Sequence, residues 1–277
     1  MLYRSYHALK QSDMYNSAGE PVWALHGALK SMCKLVAQIR PTHVVVALDP
    51  PGGCPFRKDI LPEYKHGRSV PAPELISQLQ EWPLLLAEAG IACDAVRGWE
   101  ADDVLASLAA QNEQLGGTTL LCSADRDLLQ LISATTSVVL PDATIVDGAF
   151  LQTKYGLSPA QYRELSALRG ESSDNIAGIA GIGDKTATKA LLALGSLVDG
   201  FDSDALVAAV GVKAAAKISD GYPTFVRNMK LNGLNRQLSV QPSLEAGRLP
   251  IDRIQAHAAC TAKGLRVAAV SVPAAFG

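Results

Sequence analysis

The sequence lacks the marks of a membrane-bound or secreted protein. No apolar run reaches the roughly 20 residues that a membrane-spanning helix needs. The first residues, MLYRSYHALKQSD, contain no apolar core of a signal peptide. The five cysteines are scattered, odd in number and never spaced C-x-x-C, which argues against a disulfide framework and a structural zinc site. These absences predict a cytoplasmic protein without a membrane partner.

The sequence also lacks an excess of charge of either sign. Lys and Arg number 25 against 27 Asp and Glu, so the net charge is −2. A surface for a polyanion must therefore be local, with the acidic residues gathered elsewhere. A chain of 277 residues, 48% of them hydrophobic, can bury a sizeable core in one large domain or two modest ones.

Apolar patterning predicts an α/β region followed by a helical region. Residues 22–39 and 74–89 have helical spacing, and HVVVALD, IACDAV and TTLLCS are short apolar runs typical of buried parallel strands. Strands and helices alternate through residue 146, whereas helices and glycine turns dominate from about residue 159. We therefore expect an α/β domain at 1–158, with a mainly parallel central sheet flanked by helices, and a helical subdomain at 159–277.

Acidic residues follow the predicted strands or precede the glycine loop. Because the carboxyl ends of parallel strands meet at one edge of a sheet, several of these side chains are expected to converge. Converging carboxylates repel one another unless a cation neutralises them, and hard oxygen ligands suit Mg²⁺ or Mn²⁺. Two such ions are a common device for phosphodiester hydrolysis. The residues are Asp49, Glu100, Asp102, Asp103, Asp125, Asp127, Glu171 and Asp174.

Each acidic group also has an ordinary structural explanation. Glu100, Asp102 and Asp103 begin a predicted helix, where negative charge complements the helix dipole. Asp125 fits an N-cap, and Asp49 fits a turn before Pro-Pro-Gly-Gly. The conjunction of the groups, rather than any one of them, favours a metal site.

The stretch GIAGIGDKT at residues 178–186 differs by one residue from the P-loop pattern G-x-x-x-x-G-K-[ST]. Gly178 and Gly183 have the required separation, but Asp184 precedes Lys185 and Thr186. The backbone amides of this loop suit a phosphate, either of a nucleotide or of a nucleic-acid strand. A P-loop should follow a buried strand, whereas this stretch follows a helix and a polar loop.

Several motifs together resemble the bacterial 5′-nucleases, which include the 5′-3′ exonuclease domain of DNA polymerase I, stand-alone relatives and flap endonucleases. The resemblance runs nearly end to end, and no polymerase region follows it, so a stand-alone nuclease is expected. The motifs that carry it are LYRSYHAL, VALD, FRKDILPEYKHGR, GWEADDVLASLA, SADRDLLQL and ALRGESSDNIAGIAGIGDKTATKALL.

The resemblance implies a PIN-like nuclease core in which the eight carboxylates hold two divalent metals. It implies a catalytic role for Asp49, Glu100, Asp102, Asp103, Asp125, Asp127, Lys65 and Arg68. The basic segment at about 50–72 corresponds to a helical arch that holds a 5′ strand, and its Pro, Gly and basic residues alone indicate an exposed clamp for a polyanion. Its phosphate-contacting positions are Arg57, Tyr64, Lys65 and Arg68, and Arg4 is a further DNA-binding position.

The resemblance makes residues 174–195 a helix–hairpin–helix element that binds duplex DNA and holds a K⁺ ion through backbone carbonyls. Its glycines permit a close approach of the backbone to a phosphate, and the next helix N-terminus favours negative charge. The implied DNA-binding positions are Gly178, Gly181, Gly183, Lys185 and Thr186. Lys189, Lys213 and Lys217 add positive charge nearby, although each also fits an ordinary surface lysine.

Two departures from the resemblance are expected to matter. The family begins with an apolar strand that ends in Asp-Gly and supplies a ligand, whereas this chain begins with Met1-Leu2-Tyr3-Arg4. A start codon assigned too far downstream, a shortened chain or true loss of the strand would each explain this. Glu171 stands where the family more often has Asp.

The resulting hypothesis is a monomeric, metal-dependent 5′-3′ exonuclease or 5′-flap endonuclease that acts on flapped or nicked DNA in replication and repair. The alternative is a structure-selective DNA-binding protein whose catalysis is impaired by the missing Asp. A P-loop NTPase is a third hypothesis.

Overall fold

The computed structural model describes residues 1–198, 200–241 and 244–277. The α-helices are α1 Leu2–Leu9, α2 Trp23–Ile39, α3 Pro55–Ile60, α4 Pro73–Glu88, α5 Ala101–Gln114, α6 Gly148–Tyr155, α7 Pro159–Arg169, α8 Asp184–Leu194, α9 Ser203–Val210, α10 Val212–Asp220, α11 Tyr222–Asn232, α12 Arg253–Ala262 and α13 Arg266–Phe276. The strands are β1 Val45–Ala47, β2 Ala92–Asp94, β3 Thr119–Cys122, β4 Thr136–Val139, β5 Ile145–Val146, β6 Gly170–Glu171 and β7 Ile176–Ala177.

The chain divides into two compact units. The first contains Met1–Pro50, Ser69–Val96 and Ser239–Gly277, and the second contains Pro51–Arg68 and Arg97–Leu238. Among the residues described, no helix is both long enough and apolar enough to cross a membrane.

The first unit is built around α2. Buried apolar residues recur along this helix, and it ends where Arg40 takes a left-handed conformation and donates its backbone N–H to the Val36 carbonyl. Helices α1, α4, α12 and α13 supply most of the other residues of the same apolar core. Strands β1 and β2 pair in parallel, with Val45 opposite Ala92. The helix predicted at 22–39 and the parallel strands predicted near 43–49 and 91–96 are therefore confirmed.

The second unit combines a small sheet with most of the remaining helices. Strand β3 pairs with β4 in parallel, and β4 pairs with β5 antiparallel. Leu128, Leu151 and Leu168 lie fully buried in its apolar core. Helix α7 begins with a capping box between Ser158 and Gln161, which satisfies the first free backbone N–H groups of the helix.

The sheets in the structure are smaller than the single central sheet that the sequence predicted. Within the described ranges, hydrogen-bonded strands form a β1–β2 sheet, a β3–β4–β5 sheet and a β6–β7 sheet rather than one continuous ladder. The reason is local: the strands are two to four residues long, because the apolar runs are soon interrupted by turns and helices.

Candidate functional site

Helix α5 carries the first group of predicted acidic residues at its N-terminus. Glu100 is the N-cap, and its backbone N–H donates to the Asp103 carboxylate at 3.2 Å. Their capping box explains why acidic residues are stabilising at this helix start. The Glu100 side chain is 15% exposed, Asp102 is half-buried, and Asp103 is fully buried.

Asp127 lies among acidic neighbours from three segments. Asp125 caps the short 3-10 turn Arg126–Leu131 and accepts the Asp127 backbone N–H at 3.0 Å. Burial, followed by the charges of Asp125, Asp174 and Glu171, raises the pKa of Asp127 to about 7. The carboxylates of Asp125, Asp174 and Glu171 thus lie near enough to Asp127 for their charges to disfavour its ionised form.

The basic segment reaches this acidic region with three side chains. The Lys65 ammonium lies 2.6 Å from the Glu100 carboxylate and 3.6 Å from that of Asp174. The Tyr64 hydroxyl donates to Glu100 at 2.8 Å, and Arg68 forms an ion pair with Asp174. Burial and the charges of these two carboxylates raise the pKa of Tyr64, so its hydroxyl keeps its proton. The backbone is tied as well, since the Lys65 N–H donates to the Asp174 carbonyl at 2.9 Å.

The expectation that residues 50–72 are wholly exposed is wrong at three buried positions, the first of which is Cys54 at 1% exposed. Tyr64 is 5% exposed and packs with Ile176 and Leu231, while Arg57 is 2% exposed. The Arg57 guanidinium binds both oxygens of Asp103, at 2.7 and 3.0 Å. Arg57 could be buried because Asp103 neutralises it, and in this arrangement neither side chain is offered to an outside ligand.

The carboxylate oxygens of this region fit a divalent metal in chemistry and charge. Their positions in the structure, however, do not form a metal-binding group. Asp125, Asp127, Glu171 and Asp174 supply hard oxygen atoms, and their repulsion on Asp127 is of the kind that a cation relieves. Over the described part of the chain, however, no three His, Cys, Asp or Glu side chains form a group that could hold one ion. Glu100 and Asp174 instead contact the cations of Lys65 and Arg68.

Asp49 and Arg4 belong to the first unit. Asp49 is exposed just beyond β1, as predicted, and Arg4 is exposed on α1. Their predicted roles, as a metal ligand and a DNA contact, stay predictions.

The hairpin region places the glycine loop between β7 and α8. Gly181 has a φ of 76°, a conformation that favours glycine, and Gly183 has open space where a side chain would begin. Gly178 lies so close to the backbone of Arg169 that a Cβ atom would collide with it. This glycine is therefore required by packing within the chain, and its predicted approach to DNA stays a prediction. Lys185 is exposed and Thr186 half-buried.

The segment before α8 is a short antiparallel ladder of β6 and β7. A P-loop instead connects a buried parallel strand to its helix. The geometry therefore does not favour a nucleotide site.

Sequence analysis missed Arg169 as a member of this region. Its guanidinium lies 3.5 Å from Glu171 and 3.5 Å from Asp184, so it connects the acidic loop with the first turn of α8. It is also the neighbour that lowers the pKa of Asp127, against the carboxylates that raise it. The available signal was its position directly before GESSDN.

Two models of protein families match consecutive parts of the chain. Residues 1–156 match the 5′-3′ exonuclease N-terminal resolvase-like domain, and residues 157–255 match the 5′-3′ exonuclease C-terminal SAM fold. The chain belongs to the 5′-3′ exonuclease family. The predicted resemblance and the predicted fold class, a PIN-like core with a helical domain, are thereby confirmed.

Relatives of this 5′-3′ exonuclease-family chain include much longer proteins. DNA polymerase I of Mycobacterium bovis is 34% identical over 263 residues, which cover 93% of this chain and 29% of the polymerase. The thermostable DNA polymerase I of Thermus aquaticus is 40% identical over 197 residues, which cover 71% of this chain and 23% of that protein. The chain thus spans less than a third of the length of these relatives.

Solved structures of low sequence identity share the fold. A bacteriophage T5 5′-exonuclease with bound zinc gives a TM-score of 0.66 at 20% identity, covering 99% of this chain and 95% of that one. A bacteriophage T5 flap endonuclease in a pseudo-enzyme-product complex with DNA and metal ions gives 0.64 at 20% identity, covering 98% and 97%. The catalytic core of Rad2 in complex with DNA substrate gives 0.53 at 16% identity, covering 91% and 83%.

Proposed function

We propose that this chain is a divalent-metal-dependent nuclease that hydrolyses DNA phosphodiester bonds as a 5′-3′ exonuclease and 5′-flap endonuclease. The observation that carries the proposal is the meeting of Lys65, Tyr64 and Arg68 with the carboxylates of Glu100 and Asp174. Cations that can hold a phosphate thus lie beside carboxylates that can hold a metal. Family membership and the metal ions and DNA in structures of the same fold support it.

The ligands in the second unit would be Glu100, Asp102, Asp125, Asp127, Glu171 and Asp174. Two Mg²⁺ or Mn²⁺ ions, when bound, activate water and stabilise charge on the phosphate oxygens. Lys65 and Arg68 would turn from Glu100 and Asp174 to the phosphate of the DNA strand. Tyr64, which keeps its proton, can donate a hydrogen bond to the same phosphate.

The proposal extends to the organisation of the chain. We retain a core at 1–158 and a helical DNA-binding subdomain at 159–277, which the boundary between the two family matches at 156 and 157 supports. The hairpin would bind duplex phosphates and a K⁺ ion through its carbonyls. The protein would act as a monomer in the cytoplasm, where the five free cysteines stay reduced.

The test is cleavage of a labelled 5′-flap duplex and of a nicked duplex by the purified chain in Mn²⁺ or Mg²⁺. We expect cleavage that EDTA abolishes and that an Asp102→Ala/Asp125→Ala double variant lacks. Asp220→Asn, which changes an exposed carboxylate at the end of α10, is the matched control and should cleave normally. Tight flap binding without cleavage by the wild-type chain would contradict the proposal and favour the impaired DNA-binding protein.

A further inference from the structure

The base of the basic segment contains an ion pair that the proposed nuclease mechanism leaves unused. Helix α3 contains Arg57, which is 2% exposed, and its partner Asp103 is 0% exposed. Sequence analysis assigned Arg57 to DNA and Asp103 to metal. Burial of both side chains is an unsuitable starting point for either role, because each would have to leave its partner in a site that excludes water.

The donors of Arg57 are used within the chain. Besides its two bonds to Asp103, the guanidinium donates through Nε to the Leu231 carbonyl at 3.0 Å and through Nη2 to the Gly233 carbonyl at 3.2 Å. Its Nη1 also lies 3.3 Å from the Glu100 carboxylate. An arginine has five N–H donors in a fixed planar fork, and this set of acceptors matches that fork.

The acceptors of Asp103 are used as well. In addition to Arg57, its carboxylate accepts the backbone N–H of Asn235 at 2.9 Å and that of Glu100 at 3.2 Å. A carboxylate with its lone pairs directed at four donors has little left to offer an ion. The neighbouring Glu100 carboxylate, in contrast, lies 2.6 Å from the partly exposed ammonium of Lys65.

The pair connects three segments that must keep their relative positions. Arg57 belongs to the base of the basic segment, Asp103 to the start of α5, and the carbonyls of Leu231 and Gly233 to the end of α11. Helix α11 is in turn tied to the hairpin, since the Asn228 amide donates to the Ala177 carbonyl at 3.0 Å. A displacement of the guanidinium would therefore be transmitted to Glu100, to Lys65 and to the hairpin.

We infer that Arg57 and Asp103 form a positioning pair that fixes the basic segment over the carboxylates of α5, and that neither residue binds metal or DNA phosphate. This inference rests on the proposed function for what is positioned. It gives Arg57 and Asp103 a structural role within that function. It also predicts that substitutions of these two residues affect DNA and metal binding less than substitutions of Lys65 and Asp125. The pair holds the cation of Lys65 and the carboxylate of Glu100 at the separation that the reaction needs.

The first test measures Mn²⁺ binding by calorimetry on the full chain without DNA. We compare Asp103→Asn, the neutral pair Arg57→Gln/Asp103→Asn and Asp125→Asn, after circular dichroism and thermal melting have shown that each is folded. The two variants at the pair should keep the wild-type stoichiometry, whereas Asp125→Asn should lose affinity by about 10-fold or more. Loss of one bound ion in the neutral pair, or a loss of Mn²⁺ affinity as large as that of Asp125→Asn, would overturn the inference.

The second test measures the salt dependence of flap-DNA binding in EDTA. Loss of one phosphate contact lowers the slope of log K against log salt by about 1. Lys65→Gln should show this change, and the neutral pair should keep the wild-type slope. A slope lowered equally in the neutral pair would assign Arg57 to a phosphate and overturn the inference.

The third test separates position from charge. Arg57→Lys keeps the charge but loses the planar fork, so we expect kcat to fall by about 100-fold with KM nearly unchanged. Wild-type kcat in a folded Arg57→Lys chain would contradict a positioning role. The metal and DNA measurements require no cleavage, so an inactive wild-type chain would contradict the proposed function and leave this inference to be decided by those two results.

Discussion

Two parts of the basic segment use the same chemistry in opposite surroundings: its base, at Arg57, and its tip, at Lys65 and Arg68. At the base, Arg57 and Asp103 have side chains that are 3% and 0% exposed and hold each other in two hydrogen bonds. At the tip, the side chains of Lys65 and Arg68 are 25% and 56% exposed and meet Glu100 and Asp174. Both regions pair a cation with a carboxylate, yet water or a ligand can reach only the ion pairs at the tip.

The difference indicates which ion pairs are exchangeable. Separating a buried pair leaves two charges without solvent, so the pair acts as part of the framework. Separating a partly exposed pair exposes each group to water, a metal or a phosphate at small cost. The tip can therefore serve as a reversible contact, while the base keeps the two partners within reach of each other.

The largest expected effect comes from breaking the base alone. Arg57→Met leaves the Asp103 charge buried without its partner, and we expect a loss of about 3–5 kcal/mol in the free energy of unfolding. Burial alone would lower the pKa of Arg57, but the Asp103 carboxylate outweighs it and raises that pKa, so Arg57 stays charged across the accessible pH range. Urea denaturation followed by circular dichroism measures the loss.

The neutral pair Arg57→Gln/Asp103→Asn is the matched control for that loss. It removes both buried charges and retains amide donors and acceptors, so it should recover part of the stability that Arg57→Met loses. Equal stabilities of Arg57→Met and wild type would show that the base is no stronger than the tip.

The next effect concerns Asp127, a carboxylate whose neighbours are mainly acidic. Its pKa in the folded chain is raised from 3.8 to about 7, so the folded chain holds this proton more tightly than the unfolded chain. The resulting stabilisation is fully present below about pH 4 and is lost as the pH rises through about 7. Asp127→Asn should therefore stabilise the metal-free chain at pH 8 by on the order of 2 kcal/mol.

The measurement is thermal and urea unfolding in EDTA from pH 5 to pH 8. Wild type should lose stability over this range relative to Asp127→Asn, and Asp220→Asn should follow the wild-type curve. Parallel curves for wild type and Asp127→Asn would contradict the raised pKa.

Local patterns made much of the fold predictable, while the base of the segment needed the structure. Apolar spacing located α2, and the acidic start of EADDV located the N-terminus of α5, because both depend on neighbours in sequence. The Arg57 side chain, in contrast, meets Asp103 at a separation of 46 residues and Leu231 at 174. Neither partner has a sequence signal that marks it, so a basic Pro- and Gly-rich segment looked uniformly exposed.

The candidate site was predictable to a similar degree. The positions of Glu100 and Asp125 at helix starts followed from capping rules. The contact of Lys65 with Glu100 and the participation of Arg169 depend on how distant loops pack, which a single sequence does not encode in any local pattern.

A smaller effect is expected at the hairpin, where a cation lies over backbone rather than against a carboxylate. The Lys217 ammonium lies so close to Gly181 that a Cβ atom there would collide with it, and Gly181 has a φ of 76°. Gly181→Ala should cost about 1–2 kcal/mol in unfolding free energy, because side chains disfavour this conformation, and should displace Lys217. Fluorescence anisotropy with blunt duplex DNA should show weaker binding, and Gly116→Ala, at an open glycine of similar φ, controls for the backbone cost alone.

The smallest effect on stability is expected at the tip. Lys65→Met removes a partly exposed ion pair, so the unfolding free energy should change by about 1 kcal/mol or less. The same change should strengthen Mn²⁺ binding in the absence of DNA, because the Glu100 carboxylate then loses the cation that contacts it at 2.6 Å. Lys58→Met, on the same segment, is the control and should leave calorimetric Mn²⁺ affinity at the wild-type value. Lys65→Met could instead weaken Mn²⁺ binding and lose as much stability as Arg57→Met. Lys65 would then be as much a part of the framework as Arg57, and the distinction between base and tip would fail.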